Sequence, residues 1–238
     1  KPSNSPLISE NNIQNTNEDE PLNPSGWPSV EFKTKQFIIS KENLGPASIQ
    51  MQAIPNGVKC LEFSLLNNKH NMKTSGQWTR ENGISTASMQ GAVRTVDIEQ
   101  LLRAMNIKTR VESQNTDVLW NFNWTPRAKG IDWQVLNGQL DFSLIKGSML
   151  DVDPGAARLL GLFNIFALPR RLQLEFKDVV NQGLYFDVMK GAYDLKDGVA
   201  YTRENTSIQL DSASVRLKAQ GFTDLNQSTH DYRVKVRS

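Results

Sequence analysis

Residues 119–124 read LWNFNW, and the fold turns on them. Trp120, Phe122 and Trp124 alternate with Asn121 and Asn123. A period of two is the signature of a strand with one apolar and one wet face. The same alternation continues outward. In LDFSLIKG, Leu140, Phe142 and Leu144 alternate with Asp141 and Ser143. Upstream, VEFKTKQFIIS, ASIQMQAI, VKCLEFSLL, MKTSGQW and STASMQGAV are further candidate strands, and downstream stand LQLEF, LYFDVMKGAYDL, VAYTRENTSIQL, SVRLKAQGF and YRVKVR. Turn signals break them at Asn43 to Pro46, Pro55-Asn56-Gly57, Asn67-Asn68, Asn82-Gly83 and Asp197-Gly198. Asn-Gly and Asp-Gly tolerate positive φ and favour two-residue hairpins. Connections this short imply antiparallel neighbours in a meander.

Two helices interrupt the strands. TVDIEQLLRAMNI spaces Val96, Leu101, Leu102 and Met105 helically, with Asp97 as N-cap and Gln100 three residues on. DPGAARLLGLFNIFALPRR, residues 153–171, is apolar almost all round, interrupted only by Arg158 and Asn164 between Pro154 and Leu168. Asp153 caps it, Pro154 suits its first position and Pro169 ends it. It is shorter than the roughly 20 residues a membrane span needs. LLRAMNI at 101–107 echoes LLGLFNI at 159–165, so 27–108 and 109–238 are candidate sub-repeats, each a meander followed by a helix. Residues 1–26 are rich in Asn, Ser, Pro and Glu and read as a disordered linker; the folded domain is expected from 27 to 238. The chain starts on Lys without a signal pattern, which reads as a piece of a longer protein; any membrane anchor or export signal is expected upstream of it.

Composition excludes several functions. Lys and Arg number 27 against 25 Asp and Glu, and no basic stripe with interleaved aromatics argues for nucleic acid. The single cysteine, Cys60, rules out an internal disulfide and is expected to be a small buried residue. His70 and His230 lack neighbours at metal-ligand spacing. There is no Gly-rich phosphate loop and no GxSxG elbow. Asp151 and Asp153 read as a strand-to-helix turn with a cap rather than a catalytic pair; Asp132, Asp141, Asp187 and Asp194 read as solvated. No catalytic residue, metal site or cofactor is expected, and the chain is read as a non-enzyme.

A long meander has an apolar face that must meet something. Two helices are few for about eleven strands, so the sheet closes on itself as a sandwich or barrel, or curls into a trough open to a ligand. Trp120, Phe122 and Trp124 fit a core and a ligand surface equally well, and both readings stay open. The expected fold class is mainly β: a long curled antiparallel sheet, groove or half-barrel, with two short helices.

Residues 138–222 resemble the C-terminal region of AsmA-like proteins of the YhdP type. The resemblance rests on Gly138-x-Leu140, Gly147, Pro154-Gly155, Leu159-Leu160-Gly161-Leu162, Leu168-Pro169-Arg170-Arg171-Leu172 and Phe176-x-Asp178. It continues through Gly183-x-x-Phe186-Asp187, Gly191, Gly198-x-Ala200-x-Thr202, Gly221 and Asp224-Leu225. Residues 27–137 match more loosely, through Trp27-Pro28, Leu44-Gly45, Gly76-x-Trp78 and Trp124. Asp211-Ser212 depart from a Gly-Pro common in the family. The resemblance implies a Gram-negative envelope protein, anchored in the inner membrane outside this chain, whose periplasmic β-groove moves phospholipid to the outer membrane.

Each buried CH₂ is worth about 0.8 kcal/mol, so a palmitoyl-length chain costs roughly 12 kcal/mol to drag through water. An apolar trough removes most of that barrier. Groove candidates are Trp120, Phe122, Trp124, Leu140, Phe142, Leu144, Leu184, Phe186 and Val188. Leu159, Leu162, Phe163 and Phe166 are candidates for a helical plug, alongside the plainer role of a core-covering helix. Arg170 and Arg171 are headgroup candidates, or complement the helix end. The expected partners are phospholipid acyl chains and an outer-membrane or periplasmic protein. The alternative function is a scaffold for outer-membrane assembly with a self-filled core.

Overall fold

The turn chemistry sets the architecture. Asn82-Gly83 (φ 49° and 81°) and Asp197-Gly198 (φ 49° and 74°) adopt the left-handed pair of a two-residue hairpin. Pro55-Asn56 closes a third hairpin, with Ile54 opposite Gly57. The computed structural model describes residues 23–107, 109–126, 135–152, 184–204, 206–213, 215–227 and 229–237. Their strands are β1 (Val30–Thr34), β2 (Ile38–Ile39), β3 (Glu42–Asn43), β4 (Ala47–Ile54), β5 (Gly57–Leu66), β6 (His70–Glu81) and β7 (Ile84–Thr95). After helix α1 (Ile98–Ala104) come β8 (Thr109–Trp124), β9 (Asn137–Val152), β10 (Leu184–Lys196), β11 (Val199–Thr202), β12 (Ile208–Asp211), β13 (Arg216–Asp224) and β14 (Thr229–Arg237).

Twelve of these strands form one curled antiparallel sheet, not closed into a barrel. The order runs β1-β4-β5-β6-β7-β8-β9-β10, and β13 and β14 follow beyond β11 and β12. β11 and β12 share one position. β11 pairs with one end of β10 and β12 with the middle, and both pair with β13. The expected strand VAYTRENTSIQL is therefore broken. Arg203 N–H donates to Ala192 O at 2.9 Å, and Thr206 donates to Arg203 O through both N–H (3.0 Å) and hydroxyl (2.7 Å). VEFKTKQFIIS is likewise split: after β1 the Thr34 hydroxyl donates to Gln36 O and accepts from Gln36 N–H, and beyond β2 Ser40 and Lys41 (φ 50° and 72°) turn the chain back into β3.

The expected second helix over 154–168, the strand LQLEF and the linker through residue 22 lie outside the described residues. So do Leu159, Leu162, Phe163, Phe166, Arg170, Arg171 and Asp153. No helix among the described residues is long and apolar enough to cross a membrane.

Candidate functional site

The register turns the alternation of single strands into two continuous faces. One row crosses eight strands: Phe32, Ile49, Phe63, Thr74, Gly91, Trp120, Leu140, Tyr193. Its neighbour runs Ala47, Leu65, Met72, Val93, Val118, Phe142, Gly191. The row on the opposite face reads Ser75, Gln90, Asn121, Gln139, Asp194. The sheet is thus apolar on one side and polar on the other across its width, which is what an antiparallel sheet with one covered face requires.

Glycines let aromatic rings lie across the apolar face. A Cβ on Gly91 would meet Trp120 Cζ2 at 2.4 Å, one on Gly147 would meet Phe186 Cζ at 2.6 Å, and one on Gly191 would meet Phe142 Cε1 and Cζ at 2.7 Å. Each ring covers backbone that a side chain would otherwise shield.

Closure changes across the sheet. From β9 onward the apolar face is packed shut: Phe142 is 4% exposed, Leu144 3%, Met189 1% and Tyr193 0%. Tyr193 stacks on Phe142 with centroids 6.3 Å apart. Burial pushes the Tyr193 hydroxyl well above the ordinary tyrosine pKa, and its partner Tyr232, 3.2 Å away, is also raised by burial. Toward β1 the face opens. Phe32 is 54% exposed and Val30 39%, and Ile49, Met51, Phe63, Trp78, Met89, Trp120, Phe122 and Trp124 are half-buried. The indole N–H groups of Trp78 and Trp120 are buried without a partner among the described residues.

Helix α1 lies on the apolar face near one end of the rows. Leu101 and Ala104 pack with Leu44, Ala47, Leu65 and Val93, while Leu102 joins the core of the β8–β13 half. Its attachment is otherwise polar. The Asp97 carboxylate accepts from Gln100 N–H at 3.1 Å, as the capping pattern predicts, and pairs with Lys69 at 2.9 Å. Burial pushes the Asp97 carboxyl up, but the Lys69 and Gln100 hydrogen bonds outweigh it and hold it below its ordinary pKa. Arg103 pairs with Glu42 at 2.7 Å, and that hydrogen bond lowers the Glu42 pKa. His70, read in sequence as lying in a polar stretch, is 1% exposed. Its ring joins Thr95 Oγ1 (2.8 Å) to Gln100 Oε1 (3.0 Å) and so ties β6 and β7 to the helix. Cys60 is half-exposed rather than buried, and desolvation still raises its thiol pKa.

The groove candidates do not all share one environment. Trp120, Phe122, Trp124 and Leu140 are half-buried on the apolar face; Phe142, Leu144 and Phe186 are buried in its closed part. Leu184 opens β10 opposite Met149. Val188 sits opposite Ile145 and adjoins core residue Met189, so alternation turns it to the other face. Lys146 explains the slip. Its φ of 47° interrupts β9, and the buried residues of β10 step from Phe186 to Met189 instead of by two. Beside this irregularity lies an open cleft of about 940 Å³ lined by Val96, Ile98, Val111, Lys146, Tyr185 and Phe186. Asp97, Glu99, Glu112 and Asp187 also line it, so its charge disfavours a phosphate. A second cleft, about 500 Å³, lies on the polar face around Glu62, Lys73, Gln90 and Asn121. No group of three or more His, Cys, Asp or Glu able to hold a metal occurs among the described residues.

These features define a class: an open, curled antiparallel sheet with one apolar and one polar face and a helix laid on the apolar side. The chain belongs to the YhdP family, whose model, described as "YhdP protein", matches residues 6–237. It is 25% identical over 206 residues to the "Intermembrane phospholipid transporter YhdP" of Escherichia coli strain K12, a match covering 84% of this chain and 16% of that protein. The chain therefore corresponds to a small part of that relative. No solved structure matches it.

Proposed function

We propose that this chain is a periplasmic section of an inner-membrane-anchored protein, and that it holds phospholipid acyl chains against the half-open apolar face of β1–β8 as they pass between membranes. The observation that carries the reading is the mostly apolar row from Phe32 to Tyr193, broken by Thr74 alone among its side chains, exposed toward β1 and sealed beyond β9. A half-open greasy face on a sheet this wide is unstable in water unless something apolar covers it. The relative's description as a phospholipid transporter names a cargo of that chemistry. The face contacts the cargo by area alone, so no catalytic step is involved.

The packing of Phe142, Leu144, Met189 and Tyr193 favours a second reading for the β9–β13 part, a self-filled scaffold. A photo-crosslinking residue at Phe122, on the apolar face, and another at Asn121, on the polar face, separate the two. Purified under mild conditions and examined by mass spectrometry, the Phe122 site yields a phospholipid adduct and the Asn121 site does not. Equal labelling at both sites, or none at Phe122, refutes carriage on this face.

A further inference from the structure

We propose that the outer, polar face of β13 and β14 docks on a bilayer surface carrying anionic phospholipid. Arg216 and Lys218 on β13 stand opposite Arg237 and Lys235 on β14, and Arg233 follows opposite Gln220. All five cations are exposed, and alternation puts them on one face, because Leu217 and Ala219 between them are buried. Residues along a strand repeat on a face about every 6.8 Å and strands lie about 4.8 Å apart, so the charges form a compact grid. Like charges directly opposite one another destabilise a sheet.

Several cations elsewhere on the sheet are paired, Lys73 with Glu62, Arg94 with Asp117 and Arg203 with Asp141 and Asp194, and others, such as Lys59, stand singly rather than opposite another cation. None of the five on β13 and β14 makes an ion pair with another described residue, although Asp211 stands opposite Arg216. The whole chain carries a net charge of only +2, so this is local concentration rather than general basicity.

Protection of an exposed sheet edge accounts for charge on β14, which among the described residues pairs only with β13. It does not account for Arg216 and Lys218, which sit on an interior strand. On the same face, Tyr201 (47% exposed) packs against Phe222 with centroids 5.7 Å apart. The register sets this aromatic pair between Asp194 and Asp231 at the end of the basic grid, and its half-exposed ring suits the headgroup region of a membrane, where an aromatic ring is half wet. That pairing favours a bilayer over a soluble polyanion.

The inference stands apart from the cargo reading, because docking is measured without any bound lipid. The 238-residue chain is sedimented with vesicles of about seven parts phosphatidylcholine to three parts phosphatidylglycerol, and with phosphatidylcholine alone. Binding is expected only to the first and falls with added salt. The R233Q/K235Q/R237Q variant binds on the order of a hundredfold more weakly, from about fivefold per basic residue. R233E/K235E/R237E keeps the edge charged and also loses binding, and R216Q/K218Q tests the interior pair without touching the edge. K73Q/R94Q removes paired cations from the same face and binds as the parent does. Unchanged binding by the folded triple variants, equal binding to neutral vesicles, or an equal loss in K73Q/R94Q overturns the proposal. So does binding to soluble polyglutamate without binding to vesicles, which reassigns the patch to an acidic protein.

Discussion

The seat of Phe142 on Gly191 predicts a reversal of sign between two substitutions. Phe142 is 4% exposed, so Phe142→Ala is expected to cost about 3–5 kcal/mol through lost burial and the cavity left behind. Gly191→Ala alone puts a methyl 2.7 Å from two ring atoms of Phe142 and 3.3 Å from Ile208 Cγ1. Overpacking of that kind costs about 1–3 kcal/mol. In the Phe142→Ala background the ring is gone and Ile208 is the nearest obstacle. The alanine then fits, fills part of the cavity and restricts the unfolded chain, and it stabilises by about 1 kcal/mol. The double-mutant cycle therefore has a coupling of about 2–4 kcal/mol. Urea denaturation followed by tryptophan fluorescence reads all four proteins. Additivity within about 0.5 kcal/mol refutes the claim that the ring rests on the glycine.

Three further outcomes follow from the same geometry. Phe122→Asp, on the half-open part of the face, leaves a folded protein by circular dichroism but strips phospholipid from the purified chain; Leu144→Asp, at 3% exposure, buries an unpaired charge and unfolds it. The carboxyls of Asp97 and Glu42 titrate lower in the folded chain than in the unfolded one, so what they add to stability is complete above the ordinary carboxylate range of about 4 and is lost as pH falls through their folded values. The protection of α1 amides, taken relative to the intrinsic exchange rate at each pH, is therefore expected to fall on acidification, and less steeply in D97N/E42Q; a profile unchanged by those substitutions contradicts the anchoring. Tyr193 and Tyr232 titrate higher when folded, so stability declines as pH rises past about 10, and Y193F flattens that decline in thermal melts recorded across the alkaline range.

Much of this sheet is legible in the chain because alternation and turn chemistry are local. Trp120, Phe122 and Trp124 share a face with Leu140, Phe142 and Leu144, as their period predicts, and Asn82-Gly83 and Asp197-Gly198 make the expected hairpins. Asp97 caps α1 as its spacing to Gln100 suggests. What escapes the sequence is non-local or conformational. Nothing about a lysine announces a φ of 47°, yet Lys146 shifts which β10 residues face inward and turns Val188 away. Arg203 breaks a strand because two aspartates, on β9 and β10, converge on its guanidinium. His70 looks solvated until a helix some thirty residues later covers it. The cations of YRVKVR alternate visibly, but their meeting with Arg216 and Lys218 depends on the β13–β14 register. Alternation fixes the members of each face; it does not say how far that face is covered.

Coverage and charge vary in the same direction across the sheet. Where the apolar face is open, near β1 to β8, three of the cations behind it are each paired with a neighbouring carboxylate: Lys33 with Glu31, Lys73 with Glu62, Arg94 with Asp117. Where the apolar face is sealed, beyond β9, the far side ends in five cations that make no ion pair among the described residues. A face that meets an acyl chain gains by area and has no use for charge behind it. A surface that meets headgroups gains by charge and needs a rigid core beneath it to hold the grid in register. The two proposed contacts thus occupy opposite sides and opposite ends of one sheet, and their perturbations separate. Phe122→Asp removes bound lipid and leaves vesicle docking intact, because Phe122 lies four strand positions from β13 and faces away from its cations. R233Q/K235Q/R237Q does the reverse. If either variant abolishes both readouts while remaining folded, the sheet carries one combined lipid site, and the division into a carrying face and a docking face is wrong.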